Sequence, residues 1–333
     1  MGCICGGCKI MKTLMDIEST VGVWLSNELD CVSSILSNHL KNKHSEVNDL
    51  CNDLATYRGK MLRPSLLLLS WRTLHPTGNV PNSVRIAAGV VELIHLATLV
   101  HDDVLDEADL RRGKQTINSL RGNEAAVMLG DYLLSSAFLL CSTIKNPELN
   151  ILLGKITNTL CAGEVVQLTN RNNIGLTLGQ YYQIIHDKTA SLISACCEMG
   201  GILGNGNAEQ LKTLREFGEG VGTAFQIKDD LLDLLERREN IGKPAGRDLE
   251  KGKLTLPIIL LLTTNPSLKN GVEEIVANND HCALRQLVDS SKSVELAVQK
   301  VNSLVEEAVG GLSAVFSNEV SSQMCFIVEQ LKV

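Results

Sequence analysis

Two stretches of this 333-residue chain set clustered carboxylates into otherwise apolar helical sequence. The first is His101-Asp102-Asp103-Val104-Leu105-Asp106, which closes a run containing Leu93, Ile94, Leu96, Leu99 and Val100. The second is Gln226-Ile227-Lys228-Asp229-Asp230-Leu231-Leu232-Asp233. Within each, the outer aspartates (Asp102 with Asp106, Asp229 with Asp233) stand four residues apart, share one helical face and can share a cation. One such motif is most often a solvated helix end. Two of them, well separated and both in apolar surroundings, point to a metal, because crowded carboxylates there repel and take up protons unless a cation holds them. Oxygen-only ligands on facing helices suit magnesium, which favours carboxylates, water and substrate phosphate oxygens.

Such a site asks for a polyphosphate, and the chain supplies matching cations. Gly59-Lys60-Met61-Leu62-Arg63-Pro64 places Lys60 and Arg63 one turn apart near a helix start; Arg111 and Arg112 follow the first motif; Lys188, Lys243 and Lys253 recur in the second half. Taken singly, each is a surface charge. Together with six aspartates they fit a substrate pair carrying two diphosphates. Gly218-Glu219-Gly220-Val221-Gly222 has the look of a phosphate loop, but no strand precedes it and no Gly-Lys-Ser/Thr follows. Close helix packing explains those glycines better.

The elements that must position these residues read as helices. Apolar residues recur at three- and four-residue spacing from about Met15 onward, most clearly over 81–104 and 124–143, with no alternating strand pattern and no hairpin signal. Breaks fall at His75-Pro76-Thr77-Gly78-Asn79, Lys145-Asn146-Pro147, Gly204-Asn205-Gly206-Asn207 and Thr264-Asn265-Pro266-Ser267. The fold class expected is all-α: a single-domain antiparallel bundle of ten or so helices over residues 15–333, preceded by a flexible tail over 1–14. A hydrophobic content of 44% with no Pro/Gly/Ser-rich linker supports one domain.

Composition excludes several classes. A net charge of −7 and 3% aromatics offer neither a basic phosphate-tracking surface nor a stacking platform, so nucleic acid is not an expected partner. Apolar runs such as 258–262 fall far short of the roughly 20 residues that cross a bilayer, so no transmembrane segment is expected. The 11 cysteines lack paired spacing and read as reduced thiols, which suggests a cytoplasmic location. Cys3, Cys5 and Cys8 crowd the tail; the Met-Gly start resembles a lipidated terminus but lacks Ser or Thr at position 6, and three thiolates lack an evident fourth metal ligand.

With these residues assembled, the chain resembles the trans-prenyl diphosphate synthase family from about Leu50 to the C-terminus. The likeness rests on five motifs in order: Gly59 to Pro64; Asp102 to Asp106 with Leu110-Arg111-Arg112-Gly113; Lys188-Thr189-Ala190; Phe225 to Asp233; and Gly242-Lys243-Pro244-Ala245-Gly246-Arg247-Asp248-Leu249 followed by Gly252-Lys253-Leu254-Thr255-Leu256-Pro257. The resemblance implies an isoprenoid-synthase bundle with a central active-site cavity, which condenses isopentenyl diphosphate with an allylic prenyl diphosphate. It implies that Asp102, Asp103, Asp106, Asp229, Asp230 and Asp233 hold magnesium, three ions in all, bridging to the allylic diphosphate. Arg111, Lys188, Lys243 and Lys253 then contact that diphosphate, while Lys60, Arg63, His95 and Arg112 bind isopentenyl diphosphate. Thr189, the Lys188 carbonyl and the Gln226 amide favour the allylic cation. The family also implies a homodimer, with apolar residues of the 124–143 helix as interface candidates, and peripheral membrane contact for product release.

Three other readings fit less well. A class I cyclase or head-to-head synthase needs no second diphosphate site of the Lys60/Arg63 kind. A non-catalytic partner subunit does not need all six aspartates, and an acidic cation-binding protein gives the basic motifs no role. Product length in this family depends on the wall beneath the first motif, where bulky aromatics four and five residues upstream stop growth early. Here those positions are Ala97 and Thr98, and the same face continues through Ile94 or His95, Val91 and then Ala88 or Ala87, a stripe roughly 20 Å deep with no aromatic. The expectation is a long-chain synthase of the quinone side-chain kind, with a farnesyl or geranylgeranyl product as the runner-up.

Overall fold

The computed structural model describes residues 20–54, 57, 59, 61–235, 247–278 and 280–333. The tail cysteines, Lys60 and Lys243 lie outside the described residues. In chain order the helices are α1 (Thr20–His39), α2 (Ser45–Asp53), α3 (Leu62–Leu74), α4 (Asn82–Leu105), α5 (Ile117–Arg121), α6 (Asn123–Ser142), α7 (Pro147–Thr169), α8 (Leu178–Ile185), α9 (Ser191–Leu203), α10 (Ala208–Leu235), α11 (Arg247–Glu250), α12 (Leu256–Thr264), α13 (Lys269–Ala277), α14 (His281–Asp289), α15 (Ser293–Val315) and α16 (Glu319–Glu329). Sixteen helices among the described residues exceed the ten or so expected. The excess lies in short helices of one or two turns, which leave no readable period.

Local chemistry sets the boundaries where the breaks were expected. The Asn146 side chain accepts from the backbone N–H groups of Glu148 and Leu149, and Pro147 occupies the first turn of α7, where its missing N–H costs nothing. Thr177 and Gln180 close a reciprocal capping box at the start of α8. Glycines set the approach of the helices around the centre. A Cβ on Gly218 would stand 2.7 Å from the Ser194 Cα, and one on Gly222 would stand 2.5 Å from the Ala190 Cα. Both glycines therefore serve helix packing, as the sequence suggested.

The motif-bearing helices α4 and α10 are the two axes of the bundle. Around α4 pack α1, α3, α5, α6 and α9; α10 packs against α9, α15, α11 and α12, so α9 connects the two halves. By length and composition α4 and α6 could each cross a membrane, which the short apolar runs did not suggest. For α4 the reason is its central position: 67% of its apolar window is buried, and its C-terminal end carries the first aspartate motif. The corresponding share for α6 is 44%.

One element was not anticipated. Leu110–Arg111 and Lys114–Gln115 form a two-residue antiparallel hairpin, β1 and β2, immediately after the first motif. Its turn residues Arg112 and Gly113 have φ of 52° and 78°, the pair of positive values that a tight type I′ hairpin requires. Strands of two residues give no alternation to read.

Candidate active site

The outer and middle aspartates of each motif have different surroundings. Asp103 is buried, and both its oxygens are engaged. The Tyr57 hydroxyl donates to Oδ2 at 2.6 Å, and Arg111 closes a forked pair with Nε 2.9 Å from Oδ2 and Nη2 2.8 Å from Oδ1. Asp230, buried in the second motif, repeats the device: Tyr181 donates its hydroxyl to Oδ2 at 2.7 Å, and the Gln226 amide donates to Oδ1 at 2.8 Å. Burial, with Asp248 adding to it, pushes the Asp230 carboxyl well above the ordinary carboxylate range. Asp103 and Asp230, both expected among the metal ligands, accept these hydrogen bonds from the surrounding side chains. Arg111, expected on a diphosphate, is paired to Asp103.

The outer aspartates face the cations. Lys188 Nζ stands 3.8 Å from Asp102 Oδ1 and makes a short contact with Glu164. Burial raises the Asp102 carboxyl, against the pull of Lys188. Burial would lower the lysine as well, yet Asp102 and Glu164 together raise it, so Lys188 stays charged. Asp106 meets Lys251 at 2.7 Å, Arg171 at 3.1 Å and Lys253 at 3.4 Å. Burial works against its charge, but Lys253 and Lys251 outweigh burial and hold the carboxyl below its usual range. On the second motif, Asp229 is exposed, and Asp233 Oδ2 accepts the Asp248 backbone N–H at 3.0 Å, tying down the start of α11.

Lys188 and Thr189 lie in a single π-helical turn, His186–Ala190, between α8 and α9. Such turns insert one residue into a helix and recur at functional sites. A Cβ on Gly163 would come within 2.7 Å of the Asp187 Cβ and 3.0 Å of the Lys188 N, so α7 can touch this turn only through glycine. The Thr189 hydroxyl donates to Gln226 Oε1 at 2.8 Å, which links the turn through Gln226 to Asp230. An open cleft is lined by Lys188, Thr189, Gln226, Asp230 and Lys253, with Tyr181 at its wall.

A second cationic group gathers at the start of α3. Arg63, Arg111 and Arg112 all bear on His95, whose imidazole is held well below its usual value by burial first and by these guanidinium groups next, so it is neutral. The Arg112 guanidinium lies against Gly59, where a Cβ would stand 3.5 Å from it. Glu92, one turn below His95 on α4, is 4% exposed; burial pushes it up to about 7, against the opposing charges of Arg63 and Arg112. Arg63 Nε and Glu92 Oε2 are both buried without a hydrogen-bond partner.

The four residues expected to line a product channel are not alike. Val91 and Ile94 have no accessible surface and Ala97 has 1%, so they belong to the packed core, and only Thr98 is partly exposed. A face read from helical spacing does not distinguish a wall from a core, because the helices packed on α4 decide which part is covered. Sequence reasoning also missed Tyr57, Tyr181, Glu164, Arg171, Lys251 and Asp248. Lys251 stands two residues from Lys253 and could have been noticed; the tyrosines carried no signal, being joined to their aspartates only by tertiary packing.

The donor set suits magnesium, which binds through one or two carboxylates plus substrate phosphates and retains water. Among the described residues, no three His, Cys, Asp or Glu side chains converge into a ready-made metal cage.

Comparison with known proteins agrees with this geometry. The profile of the polyprenyl synthetase family matches residues 44–290. The octaprenyl diphosphate synthase of Escherichia coli is 38% identical over 228 residues, covering 68% of this chain and 70% of that protein. Component 2 of the Bacillus subtilis heptaprenyl diphosphate synthase is 33% identical over 273 residues, covering 82% and 77%. The crystal structure of a decaprenyl diphosphate synthase from Rhodobacter capsulatus superposes with a TM-score of 0.86 at 30% identity, covering 97% of this chain and 100% of that one.

Proposed function

Because the chain belongs to the polyprenyl synthetase family, we propose that it is a prenyltransferase condensing isopentenyl diphosphate with an allylic diphosphate, repeatedly, into a long all-trans polyprenyl diphosphate. The observation that carries the reading is a pair of separate cationic groups, Lys188 and Lys253 beside Asp102 and Asp106, and Arg63 with Arg112 around the neutral His95. Two diphosphates need two such groups.

Asp102, Asp106, Asp229 and Asp233 hold magnesium in this scheme, and Asp103 and Asp230 keep the flanking side chains in place. Magnesium supplies charge neutralisation to the departing diphosphate. Lys188, oriented by Glu164 and Asp102, donates to the same departing oxygens. As the allylic C–O bond breaks, the Thr189 and Gln226 dipoles face the carbocation left behind. The isopentenyl double bond, presented from the Arg63 side, attacks the carbon, and the released diphosphate accepts the proton lost from the adduct. Tyr181, Ile184 and Ile185 wall the cleft and limit water, which would otherwise capture the cation.

The long product is supported by the absence of an aromatic at Thr98 and by the names of the relatives. A homodimer is supported by the outward apolar side chains of α6, among them Met128 and Leu139, each 63% exposed. A cytoplasmic location, with membrane contact limited to product release, completes the proposal.

The test is incubation of purified protein with labelled isopentenyl diphosphate, allylic primers of several lengths and magnesium, followed by sizing of the dephosphorylated products. Expected are long all-trans polyprenols, and loss of turnover in EDTA and in Asp102→Ala or Asp229→Ala. Incorporation that persists in EDTA would overturn the metal assignment. Absence of incorporation with every primer would overturn the prenyltransferase reading.

A further inference from the structure

Asp106 carries one negative charge and meets three cations, Lys251 at 2.7 Å, Arg171 at 3.1 Å and Lys253 at 3.4 Å. Asp248 adds a carboxylate at the margin, 3.9 Å from Lys253. A surplus of positive charge beside a group meant to hold a divalent cation is self-defeating unless a polyanion arrives with the metal. Only Lys253 of the three belongs to the motifs that the proposed function uses.

Arg171 and Lys251 are held there by the backbone. The Asn172 N–H donates to the Gly252 carbonyl at 2.7 Å, joining the loop after α7 to the loop after α11 at the residues next to the two cations. Gly252 has φ of +70°, and a Cβ on it would stand 2.3 Å from Asn172 Oδ1 and 3.0 Å from the Asn172 N. Only glycine permits this junction. The Arg171 side chain also has a buried Nε with no hydrogen-bond partner, so its planar fork is half used by Asp106. Arginine forks suit phosphate oxygens, and lysine adds a point charge.

We propose that Arg171 and Lys251 form, with Lys253, a cationic clamp that binds the allylic diphosphate when Asp106 turns to the metal, which makes both of them substrate-binding residues. The ion pairs to Asp106 in the free protein hold the clamp in position, and the diphosphate replaces the carboxylate as its acceptor. This rests on the prenyltransferase reading and extends its substrate site by two residues.

Isothermal titration calorimetry on the full chain tests it, with inorganic pyrophosphate and an unreactive allylic thiolodiphosphate as probes, each with magnesium and in EDTA. Arg171→Met and Lys251→Met are each expected to weaken both probes about tenfold or more, the usual scale for one desolvated charge contact. The KM for isopentenyl diphosphate should stay unchanged, and Lys251→Arg should retain wild-type affinity. Where thermal melting shows loss of fold, the Gln variant at the same position replaces Met. Unchanged or tighter probe binding in the charge-removed variants would refute the clamp, tighter binding meaning that the cations only shield Asp106 from metal. If the wild type itself neither binds the analogue nor elongates an allylic diphosphate, the prenyltransferase reading fails with it; if it does both and the variants match it, the clamp alone fails.

Discussion

Thr98→Phe separates the candidate product wall from the core. Thr98 lies four residues before Asp102 on α4, about 6 Å along the axis at 1.5 Å per residue, while the stripe toward Ala87 extends roughly 20 Å. Its neighbours on that stripe, Val91 and Ile94, have no accessible surface, and Ala97 has 1%. A growing chain therefore meets Thr98 first, at the one member of the group that borders open space. The Thr98 hydroxyl donates to the His95 carbonyl at 2.8 Å, a local bond whose loss is cheap. A phenyl ring there would close the route about 6 Å below the metal site, less than a third of the stripe. Product length should fall sharply while turnover per enzyme is retained, since no aspartate or basic residue changes. Ala97→Phe should behave differently: its ring must enter a packed site, at a cost of roughly 1–3 kcal/mol, so it lowers the melting temperature before it alters the product. The assay is mass spectrometry of dephosphorylated products at matched turnover, with thermal melts of both variants. A Thr98→Phe enzyme with the wild-type product range, beside a stable Ala97→Phe enzyme making short products, would refute this placement of the route.

The two tyrosine anchors should differ in what they control. Tyr181→Phe removes one of two side-chain donors to the buried Asp230, about 0.5–1.5 kcal/mol for a hydrogen bond, and should cut kcat by up to about tenfold. Tyr57→Phe leaves Asp103 paired to Arg111 but removes the acceptor of the buried Ile117 N–H, so it should appear chiefly in the melting temperature. Equal kinetic losses in the two variants would contradict that division. Glu92 rises from 4.5 to about 7 in the folded protein, so between those values the folded state holds the extra proton. Its contribution to stability is complete below pH 4.5 and lost as pH climbs through 7, on the order of 3 kcal/mol. Glu92→Gln should abolish this loss, and parallel melting curves for the two proteins from pH 5 to 8 would count against it. Arg63→Ala should raise the KM for isopentenyl diphosphate, and a rise confined to the allylic substrate would mean that the two diphosphate sites are interchanged.

Much of this molecule follows from local sequence. The 3.6-residue period needs only neighbouring residues, so the long helices and their breaks at Lys145-Asn146-Pro147 and Gly204-Asn205-Gly206-Asn207 could be read directly, as could the four-residue spacing of Asp102 with Asp106 and of Asp229 with Asp233. The sequence also determined the residue types, and with them the oxygen-ligand, diphosphate-directed chemistry. Tertiary structure decided what surrounds each aspartate. Asp103 and Asp230 are indistinguishable from their neighbours as letters, but Tyr57 and Tyr181 reach them from distant segments and donate to them. The same holds for Arg171 and Lys251, brought to Asp106 by one backbone bond between two loops, and for Val91, Ile94 and Ala97, covered by helices whose register no local pattern encodes. Spacing along one helix fixes direction around its axis; what stands opposite depends on contacts between residues far apart in the chain, and those contacts form only when the whole bundle closes.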